Sequence, residues 1–369
     1  MRLLIVTFDP PDNVGGVENR LIGYTRQLPK MGHFVQVVSL GPGRRFTREN
    51  FNGTQLYRFP SSSRYISRSL SACLLEVHKQ SIDSLFLLTG GNTFLGVLLL
   101  LYAKIVGLRS AAFYYGKDIL GGKRHPLSSL LRTISEVLAQ RIATNSFFTA
   151  GLIHSPFRRK VRVLYPGVDL STQMHVSKES GDEKKILFVG RLIKRKGVDD
   201  LLLAFRSLLR DVPSASLEIV GDGPEMTPLR RLTERLGIAE KVNFMGSLRG
   251  GKLYERYASA GVVVMPSKRT ADDVEGFGTI FLEAAAFAKP VVGTISGGIP
   301  EAVRNGETGL LVQEGDIDAL KASLVRILGD SILQHRLGRN GLAWVLSNFS
   351  LARSASSVAR LFGSIEESP

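Results

Sequence analysis

The chain has 369 residues, 44% of them hydrophobic and 22% charged, which excludes a disordered chain and exceeds what one ordinary core holds. Its single cysteine, Cys73, excludes an internal disulfide and a cysteine-rich zinc site, and is consistent with a reducing compartment. The net charge of +15 is uneven: residues 1–180 carry 23 Lys+Arg against 10 Asp+Glu, residues 181–369 carry 25 against 23.

Met1-Arg2 runs straight into the short apolar segment Leu3–Phe8, then Asp9-Pro10-Pro11-Asp12. That pattern predicts a first buried strand and loop, not a secretion signal. Further strands are expected near 34–39, 84–88, 110–115, 141–144 and 161–164, with helices near 17–29, 65–79, 93–107, 126–138 and 148–154. The longest apolar stretch, Phe94–Leu108, is interrupted by Lys104 and falls short of the roughly 20 residues that cross a bilayer. A buried helix is the expected reading, with interfacial insertion as the alternative. Ser171–Glu183 is polar and aperiodic, as a linker is. Beyond it, strands are expected near 185–190, 216–220, 242–245, 261–265, 290–294 and 310–312. Helices fit near 198–210, 226–236, 251–258, 279–288, 317–328 and 332–346, and a last one over Leu351–Ile365.

Strands alternating with helices imply parallel sheets covered on both faces, hence an α/β protein of two Rossmann-like, doubly wound domains. The expected division is a first domain over 1–170, a linker over 171–183 and a second domain over 184–349. Ligands of such sheets gather beyond the C-terminal strand ends, and the two sheets are expected to face a shared cleft there.

Glu275 and Glu283 bracket Gly276-Phe277-Gly278-Thr279, a glycine-rich loop that opens an apolar helix. Glycines let backbone approach a ligand, a helix start offers N–H groups to phosphate, and carboxylates accept from sugar hydroxyls. Arg191 and Lys196 follow an expected strand and precede Gly197, a placement suited to a diphosphate, with Lys194 and Arg195 expected at the solvated rim. Ile219-Val220-Gly221-Asp222-Gly223-Pro224-Glu225 and Gly297-Gly298-Ile299-Pro300-Glu301 are further turns after strands. No Asp-x-Asp segment stands out as a metal site, and adjacent Asp272-Asp273 form a weak ligand pair.

In this order and spacing, these segments resemble the C-terminal half of family 4 glycosyltransferases, which have the GT-B fold. The resemblance extends to Gly15-Gly16-Val17-Glu18, similar to the family's N-terminal glycine loop, to Gly32-His33-Phe34-Val35, and to Tyr165-Pro166-Gly167-Val168-Asp169 near the domain crossover. It implies a retaining, metal-independent transferase without cofactor, using a nucleotide diphosphate-sugar as substrate. By resemblance, Arg191 and Lys196 meet the donor pyrophosphate, aided by Gly15 and Gly16. Glu275 addresses the donor sugar with the backbone of Gly276, Phe277 and Gly278, Thr279 opens the phosphate-binding helix, and Glu283 accepts from the ribose. Arg191, Lys196 and Glu275 are the catalytic candidates. The resemblance also places the final helix, about 350–369, back on the N-terminal domain.

One departure touches the acceptor side. Family members often carry His-Gly-x-Asp, where this chain has Tyr115-Gly116-Lys117-Asp118. Tyrosine, with a pKa of about 10, is a poor base near neutrality. Lys117 could then meet an acceptor phosphate, Asp118 is expected to be structural, and His125 is the nearby substitute. The basic groups at Arg44-Arg45, Arg64, Arg68, Lys117, Lys123-Arg124 and Arg158–Arg162 fit an anionic lipid or lipid phosphate first and an ordinary solvated surface second. Nucleic acid ranks last, because no zinc finger, RNP-type motif or heptad-bearing basic helix is present. The implied activity is sugar transfer to a lipid-linked or surface glycan, in the cytoplasm or peripherally on the inner face of the cell membrane. A nucleotide-sugar 2-epimerase, a glucan or disaccharide synthase or phosphorylase, and a non-catalytic sugar-nucleotide or membrane-binding module remain alternatives.

Overall fold

The structure, a computed structural model, describes residues 1–8, 16–41, 46–60, 71, 75, 77–121, 126–170 and 183–363. The sequence expectations for Gly15, Cys73, His125, the clusters at Arg44-Arg45, Arg64, Arg68 and Lys123-Arg124, and nearly all of the linker lie outside these residues. The chain divides into two compact units, one comprising Met1–Gly167 with Leu351–Pro369, the other Val168–Ser350.

The first unit runs β1 (Arg2–Thr7), α1 (Gly16–Gln27), β2 (Phe34–Gly41), β3 (Thr47–Phe51), β4 (Thr54–Pro60), β5 (Ser84–Leu87), α2 (Phe94–Ile105), β6 (Arg109–Tyr114), α3 (Gly116–Leu120), α4 (Pro126–Leu138), β7 (Arg141–Thr144), α5 (Phe147–Gly151) and β8 (Val161–Val163). Its eight strands lie in the order β3-β4-β2-β1-β5-β6-β7-β8, all parallel except the β3–β4 hairpin. Strand alternation divides the core into two layers. Leu4, Val6, Leu85 and Leu87 pack on one face with Leu95, Leu99 and Ala103 of α2. Leu3, Ile5, Val37 and Phe86 pack on the other with Leu21 and Tyr24 of α1. The chain's last helix also joins that second face through Ala355, Val358 and Phe362. There Arg109 donates to the Phe362 carbonyl and Ser354 Oγ to the Tyr165 carbonyl, 2.8 Å away.

The second unit runs β9 (Lys185–Val189), α6 (Val198–Leu208), β10 (Ser216–Val220), α7 (Met226–Arg235), β11 (Val242–Gly246), α8 (Gly251–Ser259), β12 (Val262–Met265), α9 (Thr279–Ala286), β13 (Val291–Thr294), α10 (Ile299–Ala302), β14 (Gly309–Val312), α11 (Ile317–Gly329) and α12 (Ser331–Asn348). The closing helix of the first unit is α13 (Leu351–Phe362). All six strands of the second sheet are parallel, in the order β11-β10-β9-β12-β13-β14. Apolar runs such as Val262-Val263-Val264-Met265 are wholly buried, as strands covered on both faces must be. After β9 the chain turns one way to β10, and the strand on its other side is β12. The topological switch therefore falls between β9 and β12, where an open parallel sheet leaves a ligand crevice.

Candidate active site

The loops following β9 and β12 flank that switch point, and Glu275 is where they meet. Its Oε2 accepts from Lys196 Nζ at 2.6 Å and from Arg195 Nη1 at 2.5 Å, with Ser267 Oγ at 3.4 Å. Among the described residues, every hydrogen bond of this carboxylate falls on Oε2. Its main-chain oxygen accepts from Gly298 N at 3.0 Å, which ties the loop after β13 to the same place. Arg195 Nε donates to Asp273 Oδ2 at 2.8 Å, and Lys196 Nζ touches Met265 Sδ at 3.1 Å. Two of the three ammonium donors of Lys196 are thus directed to protein atoms.

Local backbone explains why these residues converge. A three-residue 3₁₀ turn over Lys194–Lys196 ends at Gly197, whose φ is +67°. A Cβ there would stand 1.9 Å from the Pro266 carbonyl, so only glycine lets the β9 loop lie against the β12 loop. Gly278, with φ +86°, reverses the chain into α9. Thr279 begins that helix; Phe281 N already donates to the Gly278 carbonyl at 3.0 Å, so the N–H groups a helix start leaves for a ligand are those of Thr279 and Ile280. Phe277 is buried and packs on Phe349, which pins the glycine-rich loop from below.

The electrostatics follow from burial. Desolvation alone would raise the Glu275 carboxyl, but Lys196 and Arg195 outweigh it and hold the group at about 2. Glu275 is therefore an ionised acceptor at neutral pH. Burial pushes Lys196 below the usual lysine range, against the opposing pull of Glu275.

Glu283 lies one turn into α9 and accepts from Tyr257 Oη at 2.7 Å. Tyr257, fully buried at the end of α8, stacks on Phe287 with centroids 5.7 Å apart. Burial and the neighbouring Glu283 charge push the Tyr257 phenol well above its ordinary value. Arg191 is exposed at the start of the β9 loop. Glu301 is half-buried in the short helix α10.

The structure corrects one placement. Arg195 is not a solvated rim residue: its side chain is 14% exposed and bridges Asp273 and Glu275. A basic run gives no sign of which member turns inward, and the two partners lie 78 and 80 residues away. Asp273 is committed to Arg195 and to its own turn. Asp273 and Tyr257 carried no sequence signal of their roles. Among the described residues no three His, Cys, Asp or Glu side chains gather as a metal-ligand set.

In the first unit, Tyr115, Lys117 and Asp118 stand at the head of β6. Tyr115 N donates to Asp118 Oδ2 at 2.9 Å, so Asp118 closes the turn into α3. The Tyr115 ring packs on Phe113 with centroids 4.7 Å apart, and Lys117 is exposed. Arg20, which the sequence reading did not single out, is buried beside them. It donates to the Leu164 carbonyl at 2.7 Å and lies over the Phe113 ring. Gly16 is the first residue of α1.

Two Rossmann-like domains with a cation-lined loop at a helix start are the architecture of a GT-B glycosyltransferase. Residues 14–172 match the family model Glycosyltransferase Family 4, and residues 171–344 match Glycosyl transferases group 1. Together the two matches span nearly the whole chain, which belongs to the family 4 glycosyltransferases and is an enzyme of sugar transfer. Among curated relatives, it is 27% identical to the GDP-mannose-dependent alpha-(1-6)-phosphatidylinositol monomannoside mannosyltransferase of Mycolicibacterium smegmatis, over 99% of each chain. It is 26% identical to the N-acetyl-alpha-D-glucosaminyl L-malate synthase of Bacillus anthracis, over 95% of this chain and 93% of that one. Among solved structures, Anabaena HepE in complex with UDP and glucose superposes with a TM-score of 0.79 at 18% identity, covering 98% of this chain and 99% of that one. That likeness establishes the fold.

Proposed function

We propose that the second unit binds a nucleotide diphosphate-sugar and that the enzyme transfers its sugar, with retention and without a divalent metal, to a hydroxyl of a lipid-linked or surface-glycan acceptor. One observation carries this reading: the buried Glu275 carboxylate is held through Oε2 by Arg195 and Lys196, at the start of a glycine-rich loop that opens a helix. A fixed, ionised acceptor beside a buried ammonium suits a ligand that presents hydroxyls next to phosphate. In the proposed reaction the bond from C1 to the diphosphate breaks, and negative charge grows on the leaving oxygen. Lys196, Arg191 and the start of α9 at Thr279 stabilise that charge in place of a metal. The acceptor oxygen bonds C1 on the same face, and its proton passes to a diphosphate oxygen. Tyr115 then needs to act only as a hydrogen-bond donor.

Glu283, oriented by Tyr257, takes the ribose hydroxyls. Lys117 and Tyr115 serve the acceptor side. The mycobacterial relative's dependence on GDP-mannose and its phosphatidylinositol monomannoside acceptor make GDP-mannose the donor to test first, and a lipid-borne glycan the acceptor class. Placement on the inner face of the cell membrane follows from that acceptor.

The test is Glu275→Gln. Sugar transfer and slow donor hydrolysis are expected to fall at least a hundredfold, roughly the effect of losing one transition-state contact, while the affinity for the free nucleotide diphosphate stays close to wild type by titration calorimetry. Much weaker nucleotide binding by this variant would show that Glu275 does not address the sugar.

A further inference from the structure

Helix α4 is built inside out. Its buried face carries Arg132, Ser135 and Glu136, with Glu136 fully buried. These polar groups are matched to partners. Ser135 Oγ accepts from Tyr114 Oη at 2.7 Å, Arg132 Nη1 donates to the Ile119 carbonyl at 3.1 Å, and Glu136 Oε2 meets His154 Nδ1 at 3.1 Å. The opposite face carries Leu127, Leu130, Ile134 and Val137, spaced 3, 4 and 3 residues apart, hence one stripe. All four are exposed, Leu127 by 67% and Val137 by 50%. A water-facing helix shows the reverse pattern.

Helix α2 packs beside α4 and continues the surface. Phe94, Leu101 and Ile105 recur at i, i+7 and i+11 and are exposed, Ile105 by 75%. Phe94–Leu108 is thus only half the buried helix the sequence predicts. Its inner face fills the core while Phe94, Leu101 and Ile105 on its outer face are exposed. Contiguous apolar surface of this kind marks an interaction site.

Charge decides what covers it. The only acid in residues 94–108 and 126–141 is the buried Glu136. At the C-terminal ends of the two helices stand Lys104, Arg141 and Lys160. Lys160 Nζ caps α4 by donating to the carbonyls of Val137 and Ala139 at 3.0 Å. Partial burial, then the fields of Lys104 and Arg141, hold it below the usual lysine range, so the three charges form one cluster. An anionic surface would complement it.

We propose that the outer faces of α2 and α4 form a membrane-docking surface, with the apolar stripes entering the acyl boundary of a bilayer while Lys104 and Arg141 meet anionic headgroups and Lys160, its three donors held by the carbonyls of Glu136, Val137 and Ala139, adds its charge to theirs. No helix among the described residues is long and apolar enough to cross a membrane, so the contact is an interfacial one. The proposal supplies the partner that a lipid-borne acceptor needs. It rests on that reading for its purpose but not for the binding itself.

The test is flotation of the full chain with vesicles of phosphatidylglycerol in phosphatidylcholine and with vesicles of phosphatidylcholine alone, across a salt series. Wild type is expected on the anionic vesicles. The pair Leu130→Gln with Ile134→Gln is expected to lose roughly tenfold or more of this binding at every salt concentration. The pair Lys104→Glu with Arg141→Glu loses it chiefly at low salt, where charges are unscreened. Both pairs keep wild-type melting temperature and basal donor hydrolysis. Unchanged vesicle binding in the apolar pair, or none by wild type, overturns the proposal. So does a wild-type dimer, seen by light scattering, that the apolar pair dissolves. Vesicle binding that persists where no sugar donor is turned over sinks the catalytic reading and leaves this surface standing.

Discussion

Lys196 and Glu275 meet at 2.6 Å although 79 residues separate them, and both are buried. The contact joins the loops of two adjacent strands at the point where the sheet order reverses. Removing one partner leaves the other charged and desolvated, which costs about 3–5 kcal/mol for buried pairs. The pair therefore fixes the loop geometry as well as serving a ligand.

The first prediction concerns acid. The folded carboxyl of Glu275 sits at about 2, below the roughly 4.3 of an unfolded glutamate. A depressed folded value means the contribution is complete above about pH 5 and disappears as pH falls toward 2. A shift of this size corresponds to about 3 kcal/mol. Urea unfolding should thus show Glu275→Gln much less stable than wild type at pH 7, with the gap narrowed to about half at pH 3 and closing only toward pH 2. An unchanged gap across that range would contradict the ionised, doubly paired carboxylate.

A second prediction concerns Tyr257. Tyr257→Phe keeps the ring stack on Phe287 and deletes only the hydroxyl that orients Glu283. The expected outcome in steady-state kinetics is a donor KM raised roughly tenfold, the scale of one bond to a charged group, with kcat little changed. A fall confined to kcat would place Glu283 at the reacting sugar instead.

Much of this architecture was legible. The strands of the second unit were expected within about a residue or two of where they lie, because Val- and Ile-rich runs between glycine turns leave few alternatives. The β3–β4 hairpin was not anticipated, although its turn carries the signal: Asn52 and Gly53 have φ of 52° and 81°, the conformation an Asn-Gly pair favours. The flanking Thr47–Phe51 strand is largely exposed and lacks an apolar alternation to announce it.

In the site, Lys196 and Glu275 could be read from their motifs, but Arg195 could not. Which member of a basic run turns inward depends on an acid far along the chain. Helix α4 was expected over the residues it occupies, yet periodicity reports only that a helix has two faces. It does not tell which one the core accepts. Here Tyr114 Oη, the Ile119 carbonyl and His154 await the polar one.

A third prediction separates structure from chemistry at the head of β6. Asp118→Ala removes the acceptor for Tyr115 N and should cost about 1 kcal/mol, as losses of such helix-start contacts do. Lys117→Ala, at an exposed position, should leave thermal stability unchanged and alter only the acceptor KM. Thermal melts and acceptor titrations of the two variants check both halves.

The most direct measurement of the central claim is donor kcat/KM for Arg191→Ala combined with Lys196→Ala, assayed in chelator after calorimetry confirms a folded protein. If fixed cations hold the departing diphosphate, the value falls by roughly a thousandfold or more, on the scale of removing transition-state charge partners. Turnover at the wild-type rate would contradict that assignment.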